Sequence, residues 1–260
     1  MTDFVFPAQA ITALPIVGSA ARFPVGRVFC IGRNYPWRLD EPAPAQMPAW
    51  FMKPANAVFP AQGVLPYPPG TQAFCHEIEL VVAIGLGGRD IDPAHVEARH
   101  VWGYAAGLDM TRRDLQQQAK QAGGPWEPAK AFDHSAPCTP LAPVSLCGHP
   151  GRGAIWLSVN GRERQRSDLS NLSWPVPELI AMLSRSVTLM PGDLVFTGTP
   201  AGVDTLQPGD EIRAGIEGVG QLAMTVSGAV NAVLADFSPD ATRRRATPDL
   251  PNPNYAGALP

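Results

Sequence analysis

The feature that most limits what this chain can become is its punctuation: 29 prolines and 25 glycines are spread along 260 residues. Proline removes a backbone donor and glycine favours turns, so long uninterrupted helices are disfavoured and many tight turns between short strands are expected. Disorder is not the reading, because 45% hydrophobic against 17% charged residues gives the chain ample apolar surface to bury. A chain of this length can close one substantial core, and the expectation is a β-rich α+β fold.

Residues 24–32 (PVGRVFCIG) read as a strand feeding a turn, and 51–59 (FMKPANAVF) as another short strand with a turn. Between them lies a proline-rich stretch expected to be a loop, a candidate lid. A stronger strand is expected over 76–85 (HEIELVVAIG), and the apolar segment 101–110 ends at Asp109. Thr111, with Asp114 three residues on, suggests an N-cap for a helix over 112–121, which places Arg113, Gln116 and Lys120 on one face. By spacing alone such a face is usually solvated. Asn160-Gly161 fits a hairpin turn, Ser173 is expected to cap a helix over 173–186, and Leu179, Met182 and Leu183 to face inward. Pro-Gly-Asp at 191–193 and 208–210 each introduces a strand. The domain reading is an N-terminal segment over 1–23, a catalytic domain over 24–237 and an extended arm over 238–260, whose sequence lacks apolar periodicity.

The net charge of −3 leaves no basic footprint for nucleic acid or anionic lipid, so neither partner is expected. No apolar run approaches a membrane span, and residues 1–10 lack a basic-then-apolar leader, so the expected location is the cytoplasm. Four scattered cysteines without a CxxC pair are expected to be reduced and not to bind zinc.

Glu77 and Glu79 sit one residue apart on the expected strand, so both leave one face and can converge on an ion. A divalent cation would neutralise them, and carboxylate oxygens without Cys or paired His favour Mg²⁺, Mn²⁺ or Ca²⁺ over zinc. A Glu-x-Glu pair is more often a solvated strand face. Asp109 strengthens the metal reading, since an unpaired carboxylate ending a buried segment is costly, although capping the next helix would explain it equally well.

Six segments in order, GRNY (32–35), FMKP (51–54), HEIEL (76–80), GLDMTRRDLQ (107–116), WEPAKAFD (126–133) and TGTP (197–200), resemble the fumarylacetoacetate hydrolase family over about residues 24–228. GGRDI (87–91), TRRDLQ and AKAFDHSAPC (129–138) resemble its fumarylpyruvate hydrolase and acylpyruvase branch. The resemblance implies a mixed β-roll with short peripheral helices, a homodimer, and Glu77, Glu79 and Asp109 as ligands of Mg²⁺ or Mn²⁺. It places Lys130 beside the metal as a catalytic group, and gives Arg113 and Gln116 substrate contacts, with Gln116 also near the reaction. Thr199 with the Gly198 backbone, and Arg33, would bind substrate carboxylate. The implied reaction is attack of water on an acylpyruvate, a small diketo acid, with C–C scission and pyruvate leaving as its enolate.

One departure bears on the reaction. Hydrolytic members carry a His after GRNY and a Glu three residues later, where this chain has Arg38 and Glu41. Guanidinium stays protonated and cannot act as a base. Either Glu41 acts alone, or His76 or His134 approaches the site, or the chemistry shifts to an oxaloacetate-type decarboxylase or a 2-oxo/enol acid isomerase. A non-catalytic binding relative is a further alternative.

Overall fold

The computed structural model describes residues 4–36 and 48–229. Arg38, Glu41 and the expected arm over 238–260 lie outside the described residues.

Two sheets form a mixed β-roll. The larger follows the path β4 (Ala49–Lys53), β3 (Val28–Gly32), β15 (Leu194–Phe196), β8 (Ile78–Ile84), β9 (Val101–Leu108), β11 (Ala136–Cys138) and β5 (Val58–Pro60), with β12 (Ala142–Pro143) also paired to β9. The second orders β14 (Arg162–Asp168), β13 (Ala154–Val159), β16 (Glu211–Ile216), β17 (Gly220–Ala229) and β6 (Gln62–Tyr67). The pairs β3 with β15, β5 with β11 and β6 with β17 are parallel, and the other pairings within these sheets are antiparallel. A hairpin of β1 (Ala13–Ile16) and β2 (Ser19–Pro24) and a short pair of β7 (Phe74–Cys75) and β10 (Thr111–Arg112) complete the strands.

The apolar run of β8 has a physical cause: the larger sheet is covered on both faces, so every β8 residue is buried. Ile78, Leu80, Val82 and Ile84 face a core shared with Ile155, Leu157, Ile212 and Ala214 of the second sheet. Val81 and Ala83 face a smaller core closed by Leu14 and Phe23 of the β1–β2 hairpin. Glu79 alternates onto the face of Val81 and Ala83, at the end of that strand nearest the site.

Helices are short: α1 (Pro93–His95), α2 (Arg113–Ala122), α3 (Glu127–Lys130), α4 (Val144–Cys147) and α5 (Val176–Ser186). The expected inward residues of α5, Leu179, Met182 and Leu183, are buried. Both expected caps differ from the structure. Arg112 occupies the N-cap of α2 and makes no side-chain cap; Thr111 is in β10, and Asp114 turns back to accept from Thr71 Oγ1 and the Gln72 N–H. Helix α5 begins after Pro175, because a residue preceding proline is held out of the helical region, and Ser173 instead donates its N–H to the Asn34 carbonyl. The hairpin at Asn160-Gly161 is as expected, with both residues at positive φ (51° and 74°). All four cysteines are free. No helix among the described residues is long and apolar enough to cross a membrane.

Candidate active site

The β8–β9 ladder builds the acidic cluster. Ile78 pairs with Leu108 and Glu79 with Gly107, and the ladder runs one step further as the Asp109 N–H donates to the Glu77 carbonyl at 2.8 Å. Glu77 just precedes β8 and Asp109 just follows β9, so two strand ends and one strand residue converge. Each offers an oxygen within 4.8 Å of the others, and all three side chains are buried.

Two ammonium groups hold this cluster. Lys130, at the end of α3, is buried with Nζ 2.8 Å from Glu77 Oε2, 2.7 Å from Asp109 Oδ2 and 2.6 Å from Thr111 Oγ1. Lys53, ending β4, places Nζ 2.8 Å from Asp109 Oδ1 and donates to the carbonyls of Met110, at 3.1 Å, and Lys130. Among the described residues Lys53 is the only group that Asp109 Oδ1 meets. Burial raises the Asp109 pKa, but the charges of Lys130 and Lys53 outweigh it and hold the carboxyl below its ordinary value. Lys130 is likewise kept charged, because Asp109 and Glu77 outweigh its burial. Glu79 goes the other way: burial first, then the charges of Asp109 and Glu77, push its carboxyl well up.

Three buried carboxylates that two lysines leave incompletely neutralised, with Asp109 Oδ1 meeting Lys53 alone, fit a hard divalent cation. Among the described residues no Cys or His joins the cluster, so the donor set does not suit zinc.

The cluster is the floor of an open cleft. Its lining includes Arg33, Arg113, Gln116, Lys120 and Thr199. The α2 face read from spacing as ordinarily solvated therefore turns onto the site. Gln116 is buried and accepts from Arg113 Nη1 at 2.8 Å, and the same Nη1 lies 3.7 Å from Glu77 Oε1. Phe51 and Trp126 form an aromatic wall, their ring centroids 5.8 Å apart.

The TGTP turn is used differently from the expectation. Thr199 Oγ1 directs its one proton at the Ile78 carbonyl (2.7 Å) and accepts from Gln165 Nε2 (2.8 Å), so the hydroxyl has no proton left for a substrate carboxylate. The Gly198 N–H donates to Glu79 Oε2 at 2.8 Å and so positions a cluster oxygen. Arg33 lines the mouth with its backbone in the left-handed region, φ 64°. The histidines considered as water activators do not line the cleft. His76 is buried with Nδ1 2.9 Å from Gln165 Oε1, and burial lowers its pKa, while His134 packs edge-on against Phe59.

Three supporting residues carried no warning in the sequence. Besides Lys53, Gln165 of β14 uses all its amide capacity, with Oε1 meeting His76 Nδ1 and the Ile78 N–H, and Nε2 donating to Thr199 and Pro200. Asn34 donates to the carbonyls of Trp174 and Thr197 and accepts from the Trp174 N–H. FMKP and GRNY marked two of these positions by resemblance, but no spacing argument assigned them a task.

The profile described as the fumarylacetoacetate (FAA) hydrolase C-terminal domain matches residues 27–227. The chain is 41% identical over 179 residues to a fumarylpyruvate hydrolase of Ralstonia sp, covering 68% of this chain and 91% of that one. It is 39% identical over 204 residues to the oxaloacetate tautomerase YcgM of Escherichia coli (strain K12), covering 77% and 93%. Among solved structures, the fumarylpyruvate hydrolase of Pseudomonas aeruginosa in complex with Mn²⁺ and pyruvate superposes with a TM-score of 0.83 at 48% identity, over 87% of this chain and 100% of that one.

Proposed function

The chain belongs to the fumarylacetoacetate hydrolase family, and from that premise we propose that it is a divalent-metal-dependent hydrolase cleaving a fumarylpyruvate-like acylpyruvate to pyruvate and a carboxylic acid. The observation that carries this reading is the buried Glu77, Glu79 and Asp109 cluster, with Lys130 inside it, under a cleft walled by the Arg113 and Gln116 face of α2.

Glu77, Glu79 and Asp109 would hold Mg²⁺ or Mn²⁺, which supplies positive charge where negative charge develops in the reaction. Arg113 pairs with the carboxylate of the 2-oxo acid, and Gln116, held by Arg113, presents its amide N–H₂ to a substrate oxygen. Lys130 keeps the carboxylates in place and holds a proton at Nζ within the site. Arg33 adds positive charge at the mouth, and Gly198 and Thr199 position Glu79 and the β8 backbone. Glu41 is the acidic residue assigned to water activation, since Arg38 cannot accept a proton. The reading extends to a cytoplasmic homodimer; sedimentation at twice the chain mass is the expected result for the latter.

Pyruvate release from fumarylpyruvate with Mg²⁺ or Mn²⁺ present, followed by coupled reduction, tests the reaction, and absence of turnover above background rejects it. Arg38 in place of the lid His, together with the similarity to an oxaloacetate tautomerase, favours one second reading: enol-keto conversion or decarboxylation of oxaloacetate. Rapid decay of enol-oxaloacetate absorbance or CO₂ release, with acylpyruvates inert, would establish it. The full ligand set with Lys130 in place argues against a non-catalytic relative.

A further inference from the structure

We infer that Lys120, standing over Trp126 at the mouth of the cleft, binds a second carboxylate at the far end of the substrate, making the site selective for long 2-oxo dicarboxylates. The inference rests on the proposed binding of the 2-oxo acid end at the acidic cluster.

Helix α2 supplies the geometry. Arg113, Gln116 and Lys120 all line the cleft, and a rise of about 1.5 Å per residue sets Lys120 about 10 Å beyond Arg113 along the axis. Beyond Gln116 exposure rises toward the opening: Gln116 is buried and Lys120, one turn further on, is exposed, while Arg113 at the start of the helix is half-buried. A four-carbon diacid held at the floor would end short of Lys120. A seven-carbon chain brings its terminal carboxylate into range of the flexible lysine.

Charge points the same way. Arg33, Arg113, Lys120 and Lys130 line the cleft against Glu77, Glu79 and Asp109. With a divalent ion on the cluster, the described lining residues would carry an excess of three positive charges, before Glu41 is counted. The carboxylate and enolate of a 2-oxo acid answer two of these, so the described lining does not oppose a distal anion. Among the described residues Lys120 has no salt-bridge partner, and partial burial, then the charges of Arg113 and Arg33, lower its pKa against a smaller opposing pull from Glu77.

The path between the two ends is apolar and flat. Lys120 Nζ lies 5.1 Å from the centroid of Trp126, which stands beside Phe51. This wall suits the unsaturated middle of a fumaryl-type chain and directs the ammonium over the opening.

Binding of two unreactive ligands to the full chain loaded with Mn²⁺ tests the inference by calorimetry: 2-oxopimelate, a seven-carbon dicarboxylate, and 2-oxoheptanoate, its monocarboxylate counterpart. The parent protein is expected to prefer the dicarboxylate about tenfold or more. Lys120→Ala should erase that preference by weakening only 2-oxopimelate, and Lys120→Arg should keep it. Unchanged 2-oxoheptanoate binding reports that the variant is folded and metal-loaded. A parent without preference, a preference surviving in Lys120→Ala, or equal weakening of both ligands overturns the inference. Failure to release pyruvate from acylpyruvates would instead reject the hydrolase reading and leave the binding preference to stand or fall by itself.

Discussion

Lys53 approaches Asp109 from behind the cleft, its Nζ 2.8 Å from Oδ1, and both side chains are almost wholly buried. Lys53 does not line the cleft, so its task is to hold a cluster carboxylate in position. Lys53→Met leaves that carboxylate short of one cation and two buried carbonyls without their donor. The expected cost is about 3 kcal/mol, within the range for breaking a buried ion pair, read as a shift in the urea midpoint at unchanged slope.

Glu79→Gln removes one charge from the cluster but keeps an oxygen to accept the Gly198 N–H. The variant should fold, while Mn²⁺ affinity measured by calorimetry drops by at least about a hundredfold, more than loss of an outer-shell partner would cause. Chelation of the parent protein with EDTA should abolish turnover and lower the melting temperature, since an ion bound only by the folded state stabilises it.

Gly198→Ala tests the turn behind Glu79. The residue has φ +100°, and an added Cβ would stand 2.7 Å from Asn34 Cβ. Strain and overlap together should cost about 2–3 kcal/mol and weaken Mn²⁺ binding with it, whereas Thr199→Val should spare the ion and disturb the Gln165 network.

Asp114 gives the fold an acid-sensitive contact. Partial burial raises its pKa, but hydrogen bonds from Thr71 Oγ1, the Gln72 N–H and the Leu115 N–H outweigh that and hold it below its ordinary 3.8. A carboxyl depressed in the folded state stabilises above its unfolded pKa and loses that contribution as pH falls through the folded value. Asp114→Ala should therefore cost about 1 kcal/mol at neutral pH, allowing for solvent screening. The difference from the parent should shrink as pH drops below 3.8, as followed by urea titrations at several pH values.

The acidic cluster was legible because its geometry is local. Period-two alternation put Glu77 and Glu79 on one face, and an antiparallel neighbour ending at Asp109 needs only the next ladder to deliver the third oxygen. Lys53, Gln165 and Asn34 were not legible, because their partners lie 57, 87 and 163 residues away and no periodicity reports such meetings. The two caps failed for a related reason. Thr111 and Ser173 have the right chemistry, yet Thr111 serves Lys130, and Ser173 precedes Trp174-Pro175, where the chain must stay extended. The face of α2 was read correctly as a face; that it looks onto a cleft follows from packing against α3, which spacing cannot show.

The ladder continuation between Glu77 and Asp109 ties the acidic cluster to the main-chain hydrogen bonds of the larger sheet, while the groups proposed to meet the outer end of a substrate ride on a single ten-residue helix. The anvil and the jig are thus separate parts. Under the proposed reading, changes along α2 would retune which molecule is gripped while the spacing of the oxygens beneath stays set by the pleat.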